Sequence, residues 1–177
     1  MTTMDNKSFI LGYAIGGTVF MIILPVVFYF CSQKIDGSFG LSLIENSTAR
    51  LFLSFLLLII GLLFSFWSIA IQNKIGKGGP LEGYNVNVSP KTQKLNTTGP
   101  YRYTRNPMLF GTCIFYFSLA LFFNSPIFLL FAILFTISMV VFVKNTEEKR
   151  LLADFGEEYI TYKKTTSLFI PLPPNRF

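Results

Sequence analysis

Three uncharged runs organise the chain. Phe9 to Cys31 is 23 residues, Leu51 to Gln72 is 22, and Met108 to Val143 is 36, broken by Asn124-Ser125-Pro126. A membrane-spanning helix needs about 20 apolar residues, so the first two runs fit one span apiece. The third, as a single helix, would be roughly 54 Å long against a hydrocarbon core of about 30 Å. Ser125 is a good N-cap and Pro126 a good first helical residue, so this run reads as two short helices joined by a tight turn. Such short helices can be met by tilting or by a thinned bilayer. The pattern predicts an all-α integral membrane protein with about four transmembrane helices, at about 9–31, 51–72, 108–123 and 126–144, in one membrane domain covering 1–177. The first run is too long for the core of a signal peptide and no clear small-residue cleavage site follows it, so it is expected to be a mature span.

After Val143 the period changes. Leu151, Leu152, Phe155, Tyr159 and Tyr162 recur at helical spacing among Lys149, Arg150, Asp154, Glu157, Glu158, Lys163 and Lys164. This predicts a C-terminal amphipathic helix that continues from the fourth span and lies on the protein or the interface. Leu168 to Pro174 is Pro-rich and cannot be helical throughout.

Composition narrows the chemistry. Charged residues are 14%, against about 25% in a soluble domain, too few to cover a water-facing surface. There is no His, which excludes imidazole bases, Ser-His triads and His metal ligands. Cys31 and Cys113 both lie in apolar runs, and neither a metal site nor a disulfide framework is expected from them. The net charge of +6 is unevenly placed: residues 74–107 carry six Lys and Arg and 144–177 carry six more, whereas 32–50 has only Lys34 and Arg50. The asymmetry places the long loop, the C-terminal segment and both termini in the cytoplasm. It indicates a preference for anionic membrane lipids rather than for nucleic acid.

The candidate chemistry lies at that face. In Thr98-Gly99-Pro100-Tyr101-Arg102-Tyr103-Thr104-Arg105-Asn106-Pro107-Met108, Asn106 reads as an N-cap and Pro107 as the first residue of the third span. The free amides of that first turn, with Arg105 beside them, form an anion-binding corner or simply cap a membrane helix. Glu147-Glu148 follows the fourth span and needs a cation if buried; a solvated helix face is the alternative. Gly76-Lys77-Gly78-Gly79-Pro80 either lets backbone approach a ligand or is a plain loop.

In combination these elements are more specific. The run Gly99 to Met108, Gly111, a helical hairpin, Glu147-Glu148 and Phe155-Gly156-Glu157-Glu158-Tyr159-Ile160-Thr161-Tyr162 resembles the isoprenylcysteine carboxyl methyltransferase and phospholipid methyltransferase superfamily of membrane enzymes. The resemblance covers about residues 76–171. It implies a cytosolic pocket for S-adenosyl-L-methionine and a hydrophobic passage that admits a lipid-like substrate. It places Leu95, Gly99, Tyr101, Arg105, Asn106, Pro107, Met108, Leu109, Glu147 and Glu148 at the cofactor site. Lys144 is the candidate substrate contact, because Val143 stands where the prenylcysteine enzymes have a substrate-facing Arg. Asn106 replaces the His of a common Arg-His-Pro, and Gln93 stands where those enzymes place another His.

The resemblance implies methyl transfer to a lipophilic or lipidated acceptor: a prenylated cysteine carboxylate, a phospholipid amine or a related lipid. Such a displacement needs positioning and exclusion of water more than proton chemistry, and no catalytic residue is assigned. Glu148 or a tyrosine could accept a proton from an amine. An NADPH-dependent reductase related to the sterol reductases and a non-catalytic membrane protein are the competing readings. The oligomeric state is not legible.

Overall fold

The computed structural model describes residues 12–76 and 93–173. Helix α1 spans Gly12–Phe39 and contains a π-helical turn at Val19–Ile23. Helix α2 spans Ser47–Ile71 and runs on as a second π-turn, Gln72–Gly76. A 3-10 turn, Gly99–Arg102, leads to α3 (Pro107–Phe122), α4 (Pro126–Asn145) and α5 (Glu147–Thr165). Among the described residues there is no strand beyond one isolated bridge, Thr104 to Ser167. Three helical stretches are long and apolar enough to cross a membrane and α3 is a shorter apolar helix. The protein is an all-α integral membrane protein. Phe30, Phe52, Leu63 and Phe66 are each more than 60% exposed, as side chains bathed in lipid are.

The tightest packing joins α2 to α3. Ser54, Gly61, Ser65 and Ser68 are the buried residues of α2, a stripe of small side chains of the kind that lets membrane helices approach closely. A Cβ on Gly111 would sit 2.6 Å from the carbonyl oxygen of Gly61 and 2.8 Å from the amide of Ser65; one on Gly61 would sit 2.8 Å from the carbonyl of Gly111. Backbone meets backbone, and the Ser54 hydroxyl donates across the seam to the carbonyl of Ser118 at 2.9 Å.

At one end of the bundle the Asn-Ser-Pro turn is a hub. Ser125 caps α4 by accepting from the amide of Phe128 at 2.9 Å, with Pro126 at the first helical position. Asn124, at φ 55°, accepts from the amides of Leu43 and Ile44 at 3.0 Å each. Arg50 donates to the carbonyls of Leu121 and Phe122. Asp36 read as a charge of the first loop, but α1 runs eight residues past the uncharged run, to Phe39, and carries Asp36 in a buried position. There Ser125 donates to it and the amide of Ile127 approaches at 3.3 Å. The N-terminus of α4 neutralises that carboxylate, so the helix continues through it. Gly40, at φ 62°, ends α1.

Between the hub and the opposite end lies an aromatic core of Tyr116, Ala120, Phe128 and Ala132. The Tyr116 ring stacks on Phe135 at 4.6 Å, and its hydroxyl donates to the carbonyl of Phe20 in the π-turn of α1 at 2.6 Å.

The opposite end is closed by α5 and the segment after it. Thr146, with φ −113° and ψ −66°, interrupts the helix between α4 and α5. Gly156, at φ 50° and ψ −123°, breaks α5 internally. Leu151, Phe155, Tyr159 and Tyr162 pack with Leu95, while Leu152, which the helical period placed on the same apolar face, is 45% exposed. Ser167 to Leu172 returns as an extended strap: the amide of Arg105 donates to Ser167 at 2.9 Å, and that of Leu172 donates to Tyr103 at 2.9 Å.

A methyl group on Gly111 would meet the Ser65 hydroxyl, which can turn aside, and the backbone of Gly61 and Ser65, which cannot. Gly111→Ala is expected to destabilise by about 1–3 kcal/mol, the range for overpacking. Gly37, with open space at its Cβ position, supplies the control: Gly37→Ala should cost nothing. Thermal unfolding of both variants in one detergent checks the difference.

Candidate functional site

A cavity of about 620 Å³ opens at the α5 end of the bundle and runs between α1, α2, α3 and α4. Its size is that of a small-molecule site. Its polar end is lined by Tyr13, Gln72, Asn96, Tyr101, Arg105 and Glu147. Its apolar end is lined by Phe20, Met21, Leu62, Phe66, Phe115 and Phe135. From Tyr13 to Met21 along α1 the wall descends about 12 Å at 1.5 Å per residue, under half the hydrocarbon thickness. The floor is the aromatic core.

Two constraints build the polar end. Gly99, at φ 61°, lies against Ile71 and Trp67, where an added Cβ would come within 2.9 Å of Ile71. Only glycine makes this left-handed turn so close to α2. It swings the chain into the 3-10 turn that carries Tyr101 into the cavity wall. The Tyr101 hydroxyl meets Ser68 at 3.0 Å and donates to Gln72 at 3.2 Å. Its backbone carbonyl accepts from the Tyr162 hydroxyl at 2.6 Å, so α5 holds the turn from above.

The second constraint is a buried ion pair. Arg105 meets Glu148 at 2.7 Å, and both side chains are only 7% exposed. Glu148 also accepts from Lys163 at 2.8 Å and from the Tyr159 hydroxyl at 3.1 Å. The break at Gly156 lets the second half of α5 turn Tyr159 and Lys163 back onto it. Asn106 does not cap α3 with its side chain. Its amide donates instead to the carbonyl of Leu168 at 3.0 Å, and its backbone N–H goes to the Thr104 hydroxyl at 3.2 Å. The strap has taken the capping group, so no side chain covers the first amides of α3.

The cavity therefore brings together Leu95, Tyr101, Arg105, Asn106, Pro107, Met108, Leu109 and Glu147 of the residues singled out from the sequence. Gly99 and Glu148 stand behind the wall, one bending the turn and the other holding Arg105. Lys144 is exposed and outside the lining; its neighbour Val143 is buried and faces the cavity. Gly76-Lys77-Gly78-Gly79-Pro80 lies outside the described residues from Lys77 onward. Sequence reasoning missed Gln72, Asn96 and the α1 residues Tyr13, Gly16 and Gly17. Gln72 read only as the end of an apolar run, and no local signal says that α1 walls the cavity.

Burial raises the pKa of Tyr101, Tyr159 and Tyr162 well above the usual tyrosine value; for Tyr159 the Glu148 carboxylate adds to it. All three hydroxyls keep their protons at neutral pH and donate hydrogen bonds, to Gln72, Glu148 and the carbonyl of Tyr101 respectively. Glu148 already accepts from three donors, Arg105, Lys163 and Tyr159. Among the described residues no cluster of Cys, Asp and Glu has the makings of a metal site.

The donor set suits a ligand of mixed charge. The uncapped amides of α3 favour an anionic group. Glu147 and Arg150 bring both signs of charge to the lining, and the oxygen Oδ1 of Asn96 is buried without a hydrogen-bond partner. A family model described as phospholipid methyltransferase matches residues 49–158, from the start of α2 into α5. A search of curated proteins finds no match.

Removing one partner of a buried ion pair costs about 3–5 kcal/mol. Arg105→Gln leaves Glu148 with Lys163 and Tyr159, so its cost should fall at the low end. Glu148→Gln strands the guanidinium and should fall at the high end. The double variant should be more stable than the two single losses sum to, a coupling that thermal unfolding in detergent measures directly.

Proposed function

The chain belongs to the phospholipid methyltransferase family, within the isoprenylcysteine and phospholipid methyltransferase superfamily, and from that membership we propose that it transfers a methyl group from S-adenosylmethionine to a lipophilic acceptor. The observation that carries this reading is the single cavity with two unlike ends, one polar at the Arg-Asn-Pro corner and one lined by phenylalanine inside the bundle.

S-adenosylmethionine, when bound, supplies an electrophilic methyl group on a sulfonium. The polar end has what its amino-acid moiety needs: the first amides of α3 and the neighbouring Arg105 for the carboxylate, and Glu147 for the ammonium. The chain's own work is positional. The Gly99 turn and the Tyr162 bond hold Tyr101 at the wall, the Arg105–Glu148 pair fixes the corner, and α5 covers it against water. In this reading the acceptor reacts as a nucleophile that is already neutral or anionic.

The acceptor in this reading is a membrane lipid with a small polar head. Phe66 is 66% exposed and Gly17 is exposed, yet both line the cavity. The apolar end is thus open sideways, between α1 and α2, where a lipid tail can lie. Glu147 and Arg150 both stand in the wall; with the family's phospholipid class, the amine head of a phospholipid is the acceptor this reading favours. The excess of Lys and Arg in 74–107 and 144–177 supports a cytoplasmic position for this end of the bundle in this reading.

Glu147→Gln is expected to weaken binding of S-adenosylhomocysteine by about 1.5–3 kcal/mol, the scale of a charge-assisted hydrogen bond, with folding retained. Calorimetric titration of the purified protein checks it, and unchanged affinity removes this role for Glu147. Methyl transfer from radiolabelled donor in nanodiscs should label extracted lipid. Label confined to water-soluble products would overturn the lipid acceptor and leave the methyltransferase reading standing.

A further inference from the structure

The polar end of the cavity holds a carboxamide pair with one atom unanswered. Gln72 opens the π-turn at the end of α2, and Asn96 lies just before the Gly99 turn. Asn96 Nδ2 donates to Gln72 Oε1 at 2.5 Å, and the Tyr101 hydroxyl donates to the same oxygen at 3.2 Å. The bond to Gln72 orients the Asn96 amide: its nitrogen is committed, and its oxygen points elsewhere. That oxygen is buried with no partner, although Asn96 is 5% exposed and lines the cavity. A buried amide oxygen left so is a standing cost unless something donates to it. Ser65 has a similar buried hydroxyl, but that hydroxyl lies against Gly111 at the helix seam.

We propose that Asn96 is a ligand-binding residue whose Oδ1 accepts a hydrogen bond from an amino or hydroxyl group of a molecule held at the polar end. The proposal rests on the methyltransferase reading above. The unpartnered group is an acceptor, so the complementary ligand group is a hydrogen-bond donor. Two sources carry such a group: the amino and hydroxyl groups of the methyl donor, and the amine head of a phospholipid acceptor.

The test uses the whole protein in nanodiscs, with S-adenosylhomocysteine as one probe and phosphatidylethanolamine as the other. Asn96→Leu removes both the oxygen and the bond to Gln72. Asn96→Asp keeps an acceptor oxygen and gives up the donated N–H. Asn96→Ala replaces the leucine variant should that one fail to fold. The expected result is a loss of tenfold or more in the leucine variant, with the aspartate variant within about threefold of the parent. Weaker S-adenosylhomocysteine binding assigns the donor to the cofactor. Unchanged S-adenosylhomocysteine binding with weaker saturation by phosphatidylethanolamine assigns it to the acceptor. A folded leucine variant that leaves both unchanged overturns the proposal. So does an aspartate variant that fails alongside it, since the bond to Gln72 would then be what mattered. If the parent protein binds no S-adenosylhomocysteine, the methyltransferase reading falls first and this inference with it.

Discussion

The buried pair of Arg105 and Glu148 is the contact on which the site depends. It ties the residue before α3 to the first turn of α5, two elements 43 positions apart in the chain. A pair so buried is not a source of net stability by itself, because desolvation offsets much of the attraction. Its value is positional. The guanidinium is also 3.3 Å from the carbonyl of Lys163, and the carboxylate is braced by Lys163 and Tyr159. The corner at Asn106 and Pro107 is thereby fixed against the helix that roofs it.

Around that pair the bundle divides its labour by depth. The far end is locked by hydrogen bonds that converge on Asn124, Ser125 and Asp36. The middle is filled by stacked and edge-on aromatic rings around Tyr116. The near half between α1 and α2 is left open, although α2 and α3 beside it are in backbone contact at Gly61 and Gly111. A membrane protein gains little from burying apolar side chains against one another instead of against lipid. Tight packing is therefore spent where small residues and hydrogen bonds permit it, and a cavity costs less here than in a soluble core.

The electrostatics follow the same division. Within the cavity Arg105 is matched by Glu148. The polar end also carries Glu147 and Arg150, the unpartnered oxygen of Asn96 and the uncapped first amides of α3. The tyrosines there keep their protons through burial and serve as donors. Such an arrangement is compatible with the methyl transfer proposed above, which needs positioning and exclusion of water more than proton chemistry.

The sequence by itself determined the class of molecule and most of one wall. Runs of uncharged residues at membrane length specify spans, because a backbone in lipid must satisfy its hydrogen bonds as helix. Ser125-Pro126 specifies the turn, since capping chemistry is local. The Arg-Asn-Pro and Glu-Glu motifs lie near their helix ends, so their place at the near face was legible. What only the tertiary structure decided is how residues distant in sequence share that face. Asp36 is buried because the N-terminus of α4 reaches it. Glu148 stands behind the wall and Glu147 in it, because adjacent residues on a helix point about 100° apart. Asn106 gives up its cap because a strap from beyond α5 offers the carbonyl of Leu168. Asn96 and Gln72 meet across two segments, neither with a periodicity that marks them. Local pattern records what a residue does for its own helix; it carries no record of which helix comes to stand opposite.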